Sequence, residues 1–176
     1  MKLRNLLMTL PLIVGAGLVV DSAPAAAAAK PRVVWVYVQN KNTVTKYWPI
    51  HRALKFVDQY TGTQFKYGKC PASGKYKCIT IKEDWKLPPL YAGMANFIGP
   101  YVQLPNGETD WSTVIQLQPR ERGRSWWIRY DTVIHELGHA MGIYTHNADS
   151  SRTMYWMVRD NKPSFSPSEK RILRRH

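Results

Sequence analysis

His135-Glu136-Leu137-Gly138-His139 is the segment of this chain best suited to do chemistry. A four-residue step is close to one helical turn, so both imidazoles project from the same helix face. At that spacing they can share one ion at ordinary zinc–nitrogen distances of about 2.0–2.1 Å. Glu136 stands beside them, where a carboxylate can reach a water on that ion. The pattern is H-E-x-x-H, and it predicts hydrolysis with one catalytic Zn2+ and Glu136 as general base. A catalytic zinc takes three protein ligands and keeps a fourth position open. The next histidine is His146, four residues past Gly142. A glycine there lets the chain leave the helix in a conformation that bulkier residues avoid, and swing back to the metal. His135, His139 and His146 are therefore the expected ligands.

These residues need a scaffold. The active-site helix is predicted from about Ser125 to Met141, with Trp127, Tyr130, Ile134, Leu137 and Met141 as its apolar stripe and Gly142 as its stop. Upstream, Val33–Val38 reads as a buried strand. Ile50, Leu54 and Val57 recur at helical spacing and predict a helix over Pro49–Tyr60, with Gly62 past its end. Gln64–Tyr67 and Cys78–Lys82 read as short strands joined by the cysteine loop. Leu90–Ile98 is a further extended candidate before Gly99 and Pro100. Asn106-Gly107 marks a turn, and Val114–Gln118 alternates like a half-buried strand. A last helix starts at Pro167, with Ser166 as N-cap and Glu169 completing a capping box. The expected class is α+β, with helices packed on a mixed sheet.

The segment HELGHAMGIYTH resembles the metzincin signature H-E-x-x-H-x-x-G-x-x-H, and most closely that of the matrixin-like branch. The resemblance implies a twisted mixed sheet with an active-site helix, a Met-turn and a C-terminal helix. It also implies a zinc endopeptidase acting on protein or peptide substrates. Gly142 becomes the turn glycine and His146 the third ligand. The spacing departs from the signature by one residue: the expected place is Thr145, whose hydroxyl is a poor zinc ligand. The insertion falls in the loop, which can absorb it without rotating the first two ligands. Ser151-Arg152-Thr153-Met154-Tyr155 resembles the family's Met-turn, with Met154 as an apolar floor and Met157 as the rival. Tyr155 is not expected to bind the metal. The resemblance also places substrate along an edge strand, here about Leu90–Ile98. It gives Trp156, Met157 and Val158 to an apolar pocket wall. Neither a second zinc nor a strong calcium site is expected, since His51 and His176 are far apart and no Asp-rich loop exists.

The ends and the composition bear on where the chain works. Lys2 and Arg4, an apolar run from Leu6 to Val20, and the small-residue stretch from Asp21 to Ala29 form the pattern of a cleaved secretory signal peptide. The apolar run is shorter than the ~20 residues of a membrane span. The expected organisation is a signal peptide over residues 1–29 and one catalytic domain over residues 30–176, a monomer released outside the cell. Only two cysteines occur, Cys70 and Cys78, and export favours a disulfide between them. Net charge is +13, and loss of the leader lowers it by one. Such a surface favours anionic partners such as a cell-wall polymer or another polyanion. No motif accompanies it that would specify nucleic acid. Two other readings compete: a zinc site completed by Glu169 in place of His146, and a basic secreted binding module with a structural zinc and no catalysis.

Overall fold

A computed structural model of the chain describes residues 32–72, 76–103 and 109–175. The expected leader and the Asn106-Gly107 turn lie outside the described residues. The β-branched run forms β1 (Arg32–Val38). Its alternate residues Val34, Val36 and Val38 are buried, whereas Tyr37 is exposed. Such alternation is what a strand covered on one face requires. Two helices follow, α1 (Lys41–Tyr47) and α2 (Ile50–Asp58). Next come β2 (Thr63–Tyr67), β3 (Lys77–Glu83), β4 (Gly93–Gln103) and β5 (Thr109–Leu117). A 3-10 turn over Pro119–Gly123 leads into α3 (Trp126–Ala140), and the last helix is α4 (Pro167–Leu173).

The strands form one five-stranded sheet in the order β2-β1-β3-β5-β4. β1 pairs in parallel with β2 and β3, and β3 in parallel with β5. Only β4 runs antiparallel, against β5. The sheet is therefore mixed, as expected, and β4 is an edge strand. Ile79, Ile81, Ile115 and Leu117 on the sheet form one core with Ile50, Leu54 and Val57 of α2 and with Ile134 and Leu137 of α3. Each such side chain contributes about 1.5–3 kcal/mol of burial. This core holds α3 rigidly over the sheet, which is what a site on its surface needs. Asp110 ties three strands together at one end: its carboxylate takes Arg32 of β1 at 2.6 Å and Lys77 of β3 at 2.5 Å. Cys70 and Cys78 are disulfide-bonded with Cα atoms 5.8 Å apart.

Several boundaries differ from expectation. The edge strand starts at Gly93 rather than Leu90, because Pro88 to Tyr91 close a turn, with Tyr91 N–H donating to the Pro88 carbonyl at 3.0 Å. It also runs on through Gly99 and Pro100, where the register slips between Ile98 and Tyr101. A bulge on an edge is where a sheet accepts proline. α1 was not expected; it follows Asn40, which is left-handed at φ 50° and makes no side-chain cap. The apolar stripe of α3 holds at Ile134, Leu137 and Met141, all fully buried, but Trp127 at its start is 42% exposed.

Candidate metal centre

Ser125 caps α3, its hydroxyl accepting the Ile128 N–H at 3.2 Å. From that start the helix carries His135, Glu136 and His139 to its carboxyl end. His135 and Glu136 are each only 5% exposed. His135 Nδ1 donates to the Thr153 carbonyl at 2.7 Å, and His139 Nδ1 donates to the Ile143 carbonyl at 2.6 Å. A proton on Nδ1 leaves the Nε2 lone pair free, so both rings are held in the metal-binding tautomer.

The loop after α3 brings back His146. Gly142 has φ +93°, a conformation that side-chain-bearing residues avoid. Ile143 then tucks into the core, while Tyr144 and Thr145 point outward and are exposed. The residue in excess of the metzincin spacing is taken up by this outward bulge. Asn147 anchors the return: its N–H donates to the Met154 carbonyl at 2.6 Å, and its side-chain amide donates to Glu169 at 3.0 Å. His139 Nε2 lies 3.1 Å from His135 Nε2 and 3.3 Å from His146 Nε2. The three donor atoms all lie within 4.8 Å of one another.

This group fits a metal ion. Zinc–nitrogen bonds of about 2.0–2.1 Å at tetrahedral angles separate ligand nitrogens by about 3.3–3.4 Å. His135 and His139 direct Nε2 lone pairs at each other at close to that spacing, with no proton between them, an arrangement a cation relieves. Burial pushes the His135 imidazole down to about 3, and His139 adds to the effect. His139 is lowered too, again chiefly by burial. Neutral imidazoles are the form that binds metals.

Glu136 faces the edge strand. The Ala95 N–H donates to its carboxylate, but burial dominates and pushes the acid up to about 8. Gly93 makes the approach possible: a Cβ there would stand 2.8 Å from Glu136 Cγ and 2.9 Å from Oε1. Sequence reasoning missed Gly93 and Ala95, although a glycine opening a strand is a known mark of close backbone approach. Met154 is fully buried under the helix, where a Cβ on Gly138 would come 2.5 Å from its sulfur. Glu169, the rival ligand, is occupied elsewhere. Its Oε2 accepts the Ser166 N–H at 2.6 Å while the Ser166 hydroxyl accepts the Glu169 N–H at 3.3 Å, the expected capping box.

The histidines and Glu136 open into a cleft of about 730 Å³. One side is the amino-terminal part of β4 and the turn before it, from Pro89 to Ala95. The other is Trp156, Met157 and Val158, with Ile128 and Arg124 beyond them. Leu90, Trp156 and Met157 are exposed, so apolar wall surface is open to a ligand beside the charged Glu121 and Arg124.

No protein-family model matches the chain, and no curated protein matches it in sequence. Among solved structures it is similar to archaemetzincin (amzA) from Methanopyrus kandleri, with a TM-score of 0.50 and 16% sequence identity. The match covers 86% of this chain and 98% of that one. At that identity the likeness is one of fold. The sheet, the helix bearing the histidines and their order along the chain together make the fold of this protein metzincin-like.

Proposed function

We propose that this chain is a zinc-dependent endopeptidase. The observation that carries the reading is the convergence of three histidine Nε2 atoms beside a buried glutamate, in a cleft that runs along an exposed strand edge. His135, His139 and His146 would hold the ion, and Nδ1 contacts to main-chain carbonyls fix the first two. When bound, zinc supplies a Lewis acid that polarises the scissile carbonyl and acidifies a water.

The chain's own residues do the rest. The outer edge of β4 offers backbone groups to an extended peptide, which adds to the sheet as a further strand. Trp156, Met157 and Val158 receive an apolar side chain across the cleft. Glu136 takes the proton of the attacking water and passes it to the leaving nitrogen as the C–N bond breaks. Its carboxylate form is the one required, and a divalent cation alongside favours that form over the neutral acid. Met154 floors the ligand set. The position of Gly142, the return of His146 and the Met154-Tyr155 pair support a matrixin-like variant of the fold. The leader pattern supports a secreted protein whose catalytic domain spans residues 30–176. The strongly basic balance, +13 for the whole chain and one less without the leader, supports contact with anionic cell-wall or other polymers.

The test is hydrolysis of casein by the purified zinc-loaded protein, with Glu136→Ala as control. Cleavage by the parent alone supports the reading. Equal and negligible cleavage by both proteins, with zinc bound in each, would overturn it in favour of a non-catalytic binding module.

A further inference from the structure

Asp131 stands one helical turn before His135 on α3 and is 2% exposed. No step of the proposed hydrolysis uses it. Its Oδ2 accepts the Arg159 N–H in a long contact at 3.5 Å, and the Thr153 side chain lies near enough to favour its charged form. Its Oδ1 is buried and has no hydrogen-bond partner among the described residues. The Thr153 hydroxyl accepts the Ser164 N–H at 2.8 Å, which leaves its own proton able to turn toward Asp131. The carbonyl of the same Thr153 accepts from His135 Nδ1 at 2.7 Å. One carboxyl group therefore meets both ends of the segment from 153 to 159. At one end is the residue that orients a histidine; at the other is the residue after the cleft wall of Trp156, Met157 and Val158.

An incompletely bonded buried carboxyl is costly. If packing alone were needed at this position, a leucine would serve better. Burial pushes Asp131 up to about 7, which makes the uncharged form available.

We propose that Asp131 is a positioning residue that docks the Thr153–Arg159 segment on α3, and thereby sets both the aim of His135 at the metal and the place of the cleft wall. The inference rests on the hydrolytic reading above and deepens it. It gives two distinct signatures, because Thr153 lies on the metal branch and Arg159 on the wall branch.

Zinc affinity is measured by chelator competition on folded protein, with thermal melting alongside, for Asp131→Leu, Asp131→Asn, Thr153→Val and the Leu/Val pair. Asp131→Leu and Thr153→Val each weaken zinc by about 10–100-fold, the range for loss of an outer-shell partner. The pair is no weaker than the worse single variant. Asp131→Asn, which keeps an acceptor in place, restores most of the affinity. KM for a peptide rises in Asp131→Leu and not in Thr153→Val. A strut with a purely structural role lowers the melting temperature and leaves the zinc affinity of the folded protein unchanged; that result overturns the proposal. If Asp131→Leu does not fold, unchanged zinc affinity in Thr153→Val overturns it equally. A parent protein that binds zinc and cleaves nothing refutes the hydrolytic reading, while the zinc comparison still judges Asp131.

Discussion

Gly93 on the edge strand and Glu136 on α3 lie so close that a single methyl group on Gly93 would meet the glutamate side chain at 2.8 Å. Strand and helix are thus fitted to each other at the point where proton transfer is proposed. Gly93→Ala should displace the carboxylate without touching the histidines. A shift of about 1 Å in a reacting group costs up to about 10²-fold in rate. The expected outcome is a fall in kcat of about tenfold to a hundredfold with zinc content unchanged. Steady-state kinetics alongside metal analysis checks it, and an unaltered kcat would show that Glu136 absorbs the methyl group without leaving its working position.

Glu136→Gln keeps the size of the side chain and removes its basicity. Hydrolysis should drop by about 10²–10⁴-fold, the range for loss of a general base. Zinc should stay bound, because the three histidines do not depend on the carboxylate. A variant that loses both metal and activity would place Glu136 in the ligand set instead.

His146 and Glu169 are separated by a pair of substitutions. His146→Ala should lose zinc on dialysis. Glu169→Ala should retain it, since the Asn147 N–H bond to Met154 still holds the return of His146, and instead lower stability by about 1 kcal/mol through loss of half the capping box of α4 and of the Asn147 side-chain bond. Metal content and melting temperature of the two variants give the answer, and the reverse pattern would make Glu169 the third ligand.

Asp131 gives stability a pH dependence of known sign. Its folded carboxyl is raised to about 7 from an ordinary 3.8. The folded state therefore holds a proton that the unfolded state has released between those values. Stability from this group is present in full below about pH 4 and is lost as pH rises through 7, at up to about 1.4 kcal/mol per pH unit. The Arg159 guanidinium, on the residue whose N–H meets Asp131, is turned over the Tyr155 ring at 5.0 Å. Asp131→Asn should flatten the profile. Denaturant melts of zinc-loaded parent and variant at pH 5 and pH 8 test it, and parallel profiles would count against a protonated Asp131.

Much of this site could be read from residue types and spacing. The four-residue step between His135 and His139, the glycine at 142 and the Ser166–Glu169 cap are local patterns, and local patterns fold as their own geometry dictates. The Cys70–Cys78 bond was legible for a different reason, the cysteine count together with the leader pattern that implies an oxidising compartment. What escaped was tertiary or uncapped. Gly93 and Ala95 meet Glu136 across about forty residues of chain, and although the glycine hints at a close approach, nothing local names its partner. Asp131 reads as an ordinary polar residue until Thr153 and Arg159 fold over it. α1 begins at a left-handed asparagine with no capping side chain, so its start carries no signal. The edge strand was placed early because Leu90 and Tyr91 look like strand residues, while the prolines before them impose a turn.

The acceptors that aim His135 and His139 are main-chain carbonyls, those of Thr153 and Ile143. Every amino acid carries that oxygen, so no exchange of side chain at either position can delete it. A saturation mutagenesis screen would therefore find Ile143 quiet toward polarity and sensitive only to shape, whereas Thr153 also answers to loss of its hydroxyl, which accepts the Ser164 N–H at 2.8 Å. Metal affinity in this protein is set by the path of the backbone. Lengthening or shortening the loops around the ligands, such as the exposed Tyr144–Thr145 stretch before His146, is therefore the change that would retune it.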